Sequence, residues 1–425
     1  MYLIDKLDNG IRVIMEKISY VNSVSMGIII NNGSIKEDKY NNGVSHFIEH
    51  MLFKGTKNRT AKDIAESIDD IGGQLNAFTG KESTCYYTKV LHNHIDIAIE
   101  VLGDMLNNSL FLEEEIEKEK AVIFEEINMY LDSPEDMTHE LLSKIMFENT
   151  SLEYPVLGKE ETIKNLNREK IINYYLNNYR PEDIVISIAG NIDTGDIMKR
   201  LNYYFGNFNI LDKHSENRNI INNYSFTNKL QGINKDTEQL NLCIGMEGLP
   251  IVSSNIESLL VINNIFGGSM SSRLFQNIRE NLGLAYAVES FPSSYKDVGI
   301  LTIYIGLHPD QLLKTIKHIN KEINDVKRNY VSKNELIKSK EQLKGSYVLG
   351  MESTFSRMYE IGKSLSTFNK VYSQDEILSK IDRIRMEDIV EVIETVFNKE
   401  KLNIAYVGPT ENKNIDNEKI KSILF

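Results

Sequence analysis

One stretch constrains this chain more than any other: Gly43-Val-Ser-His46-Phe-Ile-Glu49-His50-Met-Leu-Phe-Lys-Gly55. It carries His-x-x-Glu-His, the reverse of the His-Glu-x-x-His zinc signature. On a helix, His46 and His50 sit one turn apart and share a face. Two imidazoles placed so can hold one Zn²⁺. Glu49, three residues after His46, points towards the same face and can take a proton from a water beside the metal. Most histidines are structural or solvated. The chain has eight His in 425 residues, and chance would give the pattern in roughly one such chain per hundred. The rest of the sequence must therefore support the metal reading.

A chain of 425 residues is too long for one ordinary core, so two or more domains are expected. Hydrophobic residues make up 41% and charged residues 26%, as in soluble globular proteins. The net charge is −13. No basic stripe exists to neutralise phosphates, so nucleic acid is not an expected partner. Cys85 and Cys243 are the only cysteines, which fits a reducing compartment. The start lacks a signal-peptide core, and no apolar run is long enough for a membrane span. A cytoplasmic location, with no membrane partner, is the expectation.

Ser23–Ile30 reads as an apolar, β-branched strand. The motif helix follows, then an amphipathic helix from Ala61 to Ile71 that stops at Gly72-Gly73. Two strands, 74–79 and 83–91, form a hairpin. His94–Asn107 is helical. A long Glu-rich helix runs from Leu112 to about Leu131, and Ser133-Pro134 starts another. The segment 180–191 contains a buried strand. Residues 211–225 are polar and patternless and read as a linker. It separates an expected domain 1–210, with the metal motif, from a domain 226–425.

The second half echoes the first. Gly190 and Gly408 end similar strands, His92 and His308 precede helices, and Ser133 and Ser353 mark breaks. All three pairs share nearly the same offset, and a constant offset argues for duplication. The window equivalent to His46–His50 is then about Phe266–Met270, which has no ligand. The second half would share the fold without a second zinc site.

A catalytic zinc takes three protein ligands and keeps one position open. The Glu-rich helix must supply the third. Apolar Ala121, Val122, Ile123, Phe124 and Ile127 suggest that its middle is buried, where a carboxylate needs a partner. Helical spacing narrows the choice to Glu119, Glu125 or Glu126 and goes no further.

Taken together, these residues resemble the M16 (pitrilysin-type) zinc metallopeptidases. Within them the likeness is to short bacterial members similar to the mitochondrial processing peptidase β subunit, and it covers essentially the whole chain. The family follows its His-x-x-Glu-His by a ligand Glu at the spacing that separates His50 from Glu126. Two helical turns before that ligand it carries another acidic residue, where Glu119 stands. By that resemblance Glu126 is the third ligand, Glu119 supports the metal site, and Glu49 is the general base. Residues 72–87 look like the family's edge strand, on which Asn76 and Ala77 would bind substrate as an added strand. Residues 267–286 resemble the second-half signature, in which Arg279 and Tyr286 reach the substrate; Arg offers fixed charged donors and Tyr a hydroxyl.

The resemblance implies two tandem homologous α+β domains of the LuxS/M16 type around an enclosed chamber. It implies one Zn²⁺ per chain and endopeptidase cleavage of peptides or unfolded segments. The metal would polarise the scissile carbonyl and acidify a water. A homodimer is the family's habit. The alternative is a non-catalytic binding or assembly subunit of a processing-peptidase-like heterodimer, which the intact motif argues against. A zinc hydrolase for non-peptide substrates would leave the edge-strand segment unused.

Overall fold

The structure is a computed structural model that describes residues 2–208, 224, 226–410 and 415–424. Among these residues the strands form two sheets. The first contains β1 (Tyr2–Lys6), β2 (Arg12–Lys17), β3 (Ser23–Ile30), β4 (Gln74–Thr79), β5 (Thr84–Leu91) and β6 (Ile184–Gly190), in the order β1-β2-β6-β3-β5-β4. The second contains β7 (Leu230–Asn234), β8 (Leu240–Glu247), β9 (Ala285–Ser294), β10 (Gly299–Leu307) and β11 (Asn403–Gly408), in the order β7-β11-β8-β10-β9. Each has one parallel pair, β2 with β6 and β7 with β11. All other pairs are antiparallel. Without β1 the two orders correspond strand for strand, so the duplication legible in the sequence is a duplication of α+β topology.

The helices α1 (Val44–Leu52), α2 (Ala61–Asp69), α3 (Ile95–Asn108), α4 (Glu113–Asp132) and α5 (Pro134–Met146) fall where the sequence places them. Local signals explain their ends. Thr60 and Asp63 form a capping box on α2, and the Ser133 side chain caps α5 with Pro134 in its first turn. Among the described residues no helix is long and apolar enough to cross a membrane.

β3 and β6 are buried almost throughout, so both faces of the first sheet need cover. One face packs against α1 and α3 through Met26, Ile28, Phe47, Ile48 and Leu102. The other is covered by the helix Thr354–Phe368, whose Ile361 and Leu365 meet Ile29, Cys85 and Val185. Ser25 and Thr354 share a hydroxyl bond of 2.9 Å, and Arg357 pairs with Glu16 at 2.6 Å. The approach is close at Gly362, where a Cβ would lie 2.4 Å from Ile29 Cδ1.

The compact units consequently differ from the contiguous halves 1–210 and 226–425 expected from the sequence. One unit comprises Met1–Asn128, Tyr154–Ile220 and Leu349–Tyr372; the other comprises Met129–Glu153, Ile221–Val348 and Ser373–Phe425. Each half of the chain lends one helix to the other unit: α5 packs on β8 and β11, and Thr354–Phe368 packs on β3 and β6. Ser133 and Ser353, two of the repeat markers, stand at the N-termini of these exchanged helices. The expected linker 211–225 lies outside the described residues, apart from Tyr224.

The expected second-half window also moves. The helix after β8 is Ile256–Phe266, so Phe266–Met270 begins only at its last residue. Thirteen residues separate β3 from α1 but eight separate β8 from its helix, which shortens the local offset. The helix still contains no His.

Candidate metal centre

The metal motif lies on α1, whose Val44, Phe47, Ile48, Met51 and Leu52 are buried. This packing leaves His46, Glu49 and His50 facing α4 and β4. His46 Nε2 and His50 Nε2 are 3.2 Å apart. Glu126 Oε2, on α4, lies 3.6 Å from the first and 3.7 Å from the second. Among the described residues these three are the group of His, Cys, Asp or Glu able to converge on one ion.

The donor set fits zinc. A tetrahedral site with bonds of about 2.0–2.1 Å has donor–donor edges of roughly 3.3–3.4 Å, close to the three separations above. Two facing imidazole nitrogens at 3.2 Å need a proton or a cation between them. Burial, with the neighbouring His50, lowers the pKa of His46 to about 3. It is therefore neutral, the form that ligates a metal. Two imidazoles and one carboxylate leave a fourth position free, as catalytic zinc requires.

Glu119 takes a different place from Glu126. It is buried; one carboxylate oxygen accepts from His50 Nδ1 at 2.7 Å and the other pairs with Lys54 at 2.6 Å. Burial pushes its pKa up, but the bonds from His50 and Lys54 outweigh this and hold it below the usual range. The ionised Glu119 therefore keeps the proton of His50 on Nδ1 and directs Nε2 towards Glu126. Glu125 is exposed and drops out of the ligand choice. Ala121 and Val122 are exposed too. Only Ile116, Glu119 and Ile123 of α4 are fully buried, a narrower stripe than the apolar run suggests.

Glu49 accepts a hydrogen bond from Thr79 Oγ1 at the end of β4. Burial pushes its carboxyl above the usual range, Thr79 and His50 oppose the shift, and Glu126 adds to it. β4 is the edge of the first sheet and pairs only with β5 among the described residues. Asn76 and Ala77 sit at its centre, opposite Tyr87 and Tyr86. Their backbone lies on a strand with one side open to a further strand.

Arg279 and Tyr286 belong to the second unit. Arg279 lies in a π-helical segment, Phe275–Asn281, a geometry common at functional sites. Its guanidinium carbon is 4.7 Å from the Phe275 ring centre and 5.8 Å from that of Tyr286. The structure thus brings the pair together by cation–π contact. Tyr286 is the second residue of the edge strand β9 and is 76% exposed, so it is not a core aromatic.

Two contacts escaped the sequence reading. Lys54 anchors Glu119, and Thr79 anchors Glu49. Lys54 was findable as a cation one turn after His50, where it reaches the same neighbouring helix. Thr79 gave no signal, because its role depends on strand register.

Comparison with known proteins gives the family of the chain. Residues 12–160 match the sequence profile of the insulinase family (peptidase family M16), and residues 165–343 match that of the peptidase M16 inactive domain. The chain is 43% identical over 404 residues to the uncharacterized zinc protease YmxG of Bacillus subtilis, covering 95% of this chain and 97% of that one. It is 38% identical over 412 residues to an uncharacterized zinc protease of Rickettsia felis, covering 96% and 98%. Among solved structures, a protease from Helicobacter pylori superposes with a TM-score of 0.89 at 19% identity, covering 96% of this chain and 99% of that one. A structure titled as a peptidase M16 inactive domain from Pseudomonas fluorescens also gives 0.89, at 16% identity, covering 96% and 98%. These last two speak for the fold alone. With the inverted zinc motif, its converging Glu126 and two topologically matched α+β units, the chain belongs to the M16 family of zinc proteases.

Proposed function

We propose that this protein is a zinc-dependent endopeptidase that cleaves peptides or unfolded segments bound as an extra strand along β4. The observation that carries the reading is the meeting of three features: the His46/His50/Glu126 cluster, the buried Glu49 beside it, and the Thr79 bond that ties Glu49 to an open strand edge. Zinc held by His46, His50 and Glu126, one per chain, supplies Lewis-acid polarisation of the scissile carbonyl and makes a neighbouring water easier to deprotonate. Glu49 accepts that proton and returns it to the leaving amine. Its raised pKa suits both transfers. Glu119 keeps His50 oriented. Asn76 and Ala77 offer backbone partners to an extended substrate. Arg279 and Tyr286 are the second unit's substrate-binding pair, giving a charged fork and a hydroxyl donor. A homodimer and a cytoplasmic location belong to the same proposal.

Zinc content and cleavage of a mixed peptide library test it together. The wild type should hold one zinc per chain and show cleavage that a chelator stops. Zinc without cleavage, across a broad library, would instead favour a non-catalytic assembly subunit.

A further inference from the structure

The N-terminus of α1 poses a local problem. Its first residues have backbone N–H groups with no partner inside the helix. The usual remedy is a Ser, Thr, Asp or Asn at the cap position. Here that position is Gly43, at φ +94°. A Cβ there would lie 2.7 Å from Gly158 Cα, 2.7 Å from Ile163 Cδ1 and 2.8 Å from the Leu157 carbonyl oxygen. No side chain fits, so the cap must come from elsewhere.

It comes from Glu37. One of its carboxylate oxygens accepts from the Gly43 N–H at 2.7 Å and from Asn42 Nδ2 at 3.0 Å. The other accepts from the Ser45 N–H at 2.8 Å. Glu37 is 4% exposed. A buried carboxylate is tolerable only when its oxygens are satisfied, and here the donors that satisfy them are mainly those of one helix terminus. The second unit makes the contrast. Glu37 lies in the thirteen-residue segment 31–43, whereas the counterpart 248–255 has eight residues. The cap residue of the helix Ile256–Phe266 is Asn255, whose own side chain makes no cap bond and whose N–H is taken by the neutral Ser253 hydroxyl at 3.2 Å rather than by a carboxylate. This helix carries no His.

We propose that Glu37 is a positioning residue for the metal centre: its carboxylate locks the first turn of α1 and so fixes the direction in which His46, Glu49 and His50 face α4. The inference rests on the metallopeptidase reading above. His46 is one residue from the bonded Ser45. The three donor atoms must stay within a few tenths of an ångström of their separations for one ion to satisfy all of them. A loosened first turn moves His46 relative to Glu126, which is held on another helix.

Glu37→Gln tests it. The amide keeps the volume but turns one acceptor into a donor, which opposes either the Ser45 N–H or the Gly43 N–H. Zinc affinity, measured by competition with a chromophoric chelator, should weaken by about tenfold, as for other groups that orient ligands. In the metal-free protein the Ser45 amide should exchange hydrogen about tenfold faster, as expected for loss of a cap. Thr162→Val is the control. Thr162 donates to the Asn42 carbonyl at 2.8 Å and steadies the same segment through bonds to Asn42 and Lys159. It should lower Tm yet leave zinc affinity within about twofold. The proposal is overturned if Glu37→Gln binds zinc within that margin of wild type. It is equally overturned if Thr162→Val weakens zinc as much at an equal loss of Tm. Should Glu37→Gln not fold, Glu37→Asp, which retracts the charge by one methylene, is judged by the same criteria. A wild-type protein that binds no zinc would sink the metallopeptidase reading instead, and the exchange measurement would still decide whether Glu37 holds the helix.

Discussion

The two units use one hydrogen-bonded frame with different chemistry hung on it. In the first, Thr79 at the end of edge strand β4 donates to Glu49 on α1. In the second, Ser290 on edge strand β9 donates at 2.7 Å to Asn263 on the helix Ile256–Phe266. In the first, His50 bonds Glu119 on α4. In the second, the next residue of the helix, Asn264, bonds Ser339 on the helix Lys333–Gly350 at 2.9 Å. The correspondence places Leu260 opposite His46 and Ser346 opposite Glu126. The second unit therefore keeps the struts and lacks the ligands. A helix can be fixed between an edge strand and a long neighbouring helix without any metal. The struts of the second unit hold without any metal ligand among them.

This comparison can be broken most sharply at the ligands. His50→Ala should remove both bound zinc and activity, as read by elemental analysis and peptide cleavage. Glu49→Gln should keep zinc while cutting kcat by about 10²–10⁴-fold, the range for loss of a general base. Full activity in that variant would end the mechanism. The pH profile sharpens the same point: the acid limb of kcat/KM should lie above the ordinary carboxylate range near pH ~4.3, since Glu49 works only when deprotonated and burial raises its pKa.

Glu119→Gln makes the first unit's strut neutral, like its counterpart Ser339. It should weaken zinc by roughly 10–100-fold, measured by chelator competition, with the fold intact by circular dichroism.

A smaller effect concerns His46. Its folded pKa, about 3, lies below the ordinary value of 6.5. Between those values the unfolded chain binds more protons, so stability rises with pH and falls on acidification. The metal-free protein should lose about 2 kcal/mol between pH 7 and pH 5 from this group, less in His46→Asn, as read by urea melts at each pH. In the second unit, Asn264→Ala should cost about 1–3 kcal/mol by removing the buried amide that donates to Ser339 and Gln342 and should not change zinc affinity. A change in zinc affinity there would deny the independence of the two frames.

Much of this was legible in the sequence, and the gaps have physical causes. The periodicity of α1 to α5, the hairpin at 74–91 and the ligands His46 and His50 rest on local spacing, which a sequence records directly. Glu126 emerged from Glu119 and Glu125 only through family resemblance, because helical spacing alone admits all three. Glu37 and Thr79 were invisible, since their partners depend on a turn geometry and a strand register. The apolar runs of β3 and β6 announced that both faces of the sheet are covered. Nothing local could say that a helix from the far end of the chain, Thr354–Phe368, provides the cover.

That exchange of helices has a consequence for synthesis. A ribosome that has delivered the chain as far as Phe208 has delivered a sheet with Ile29, Cys85 and Val185 bare on one face. The missing cover, Thr354–Phe368, is made only after strands β7 to β10 of the second half. Neither unit can reach its final state while the other half is unmade, and excising the segment 1–210 as a catalytic fragment should yield an insoluble product. Long-range closure of this kind slows folding and exposes apolar surface in the meantime. The chain matures as one piece or not at all, although it is built from two copies of one plan.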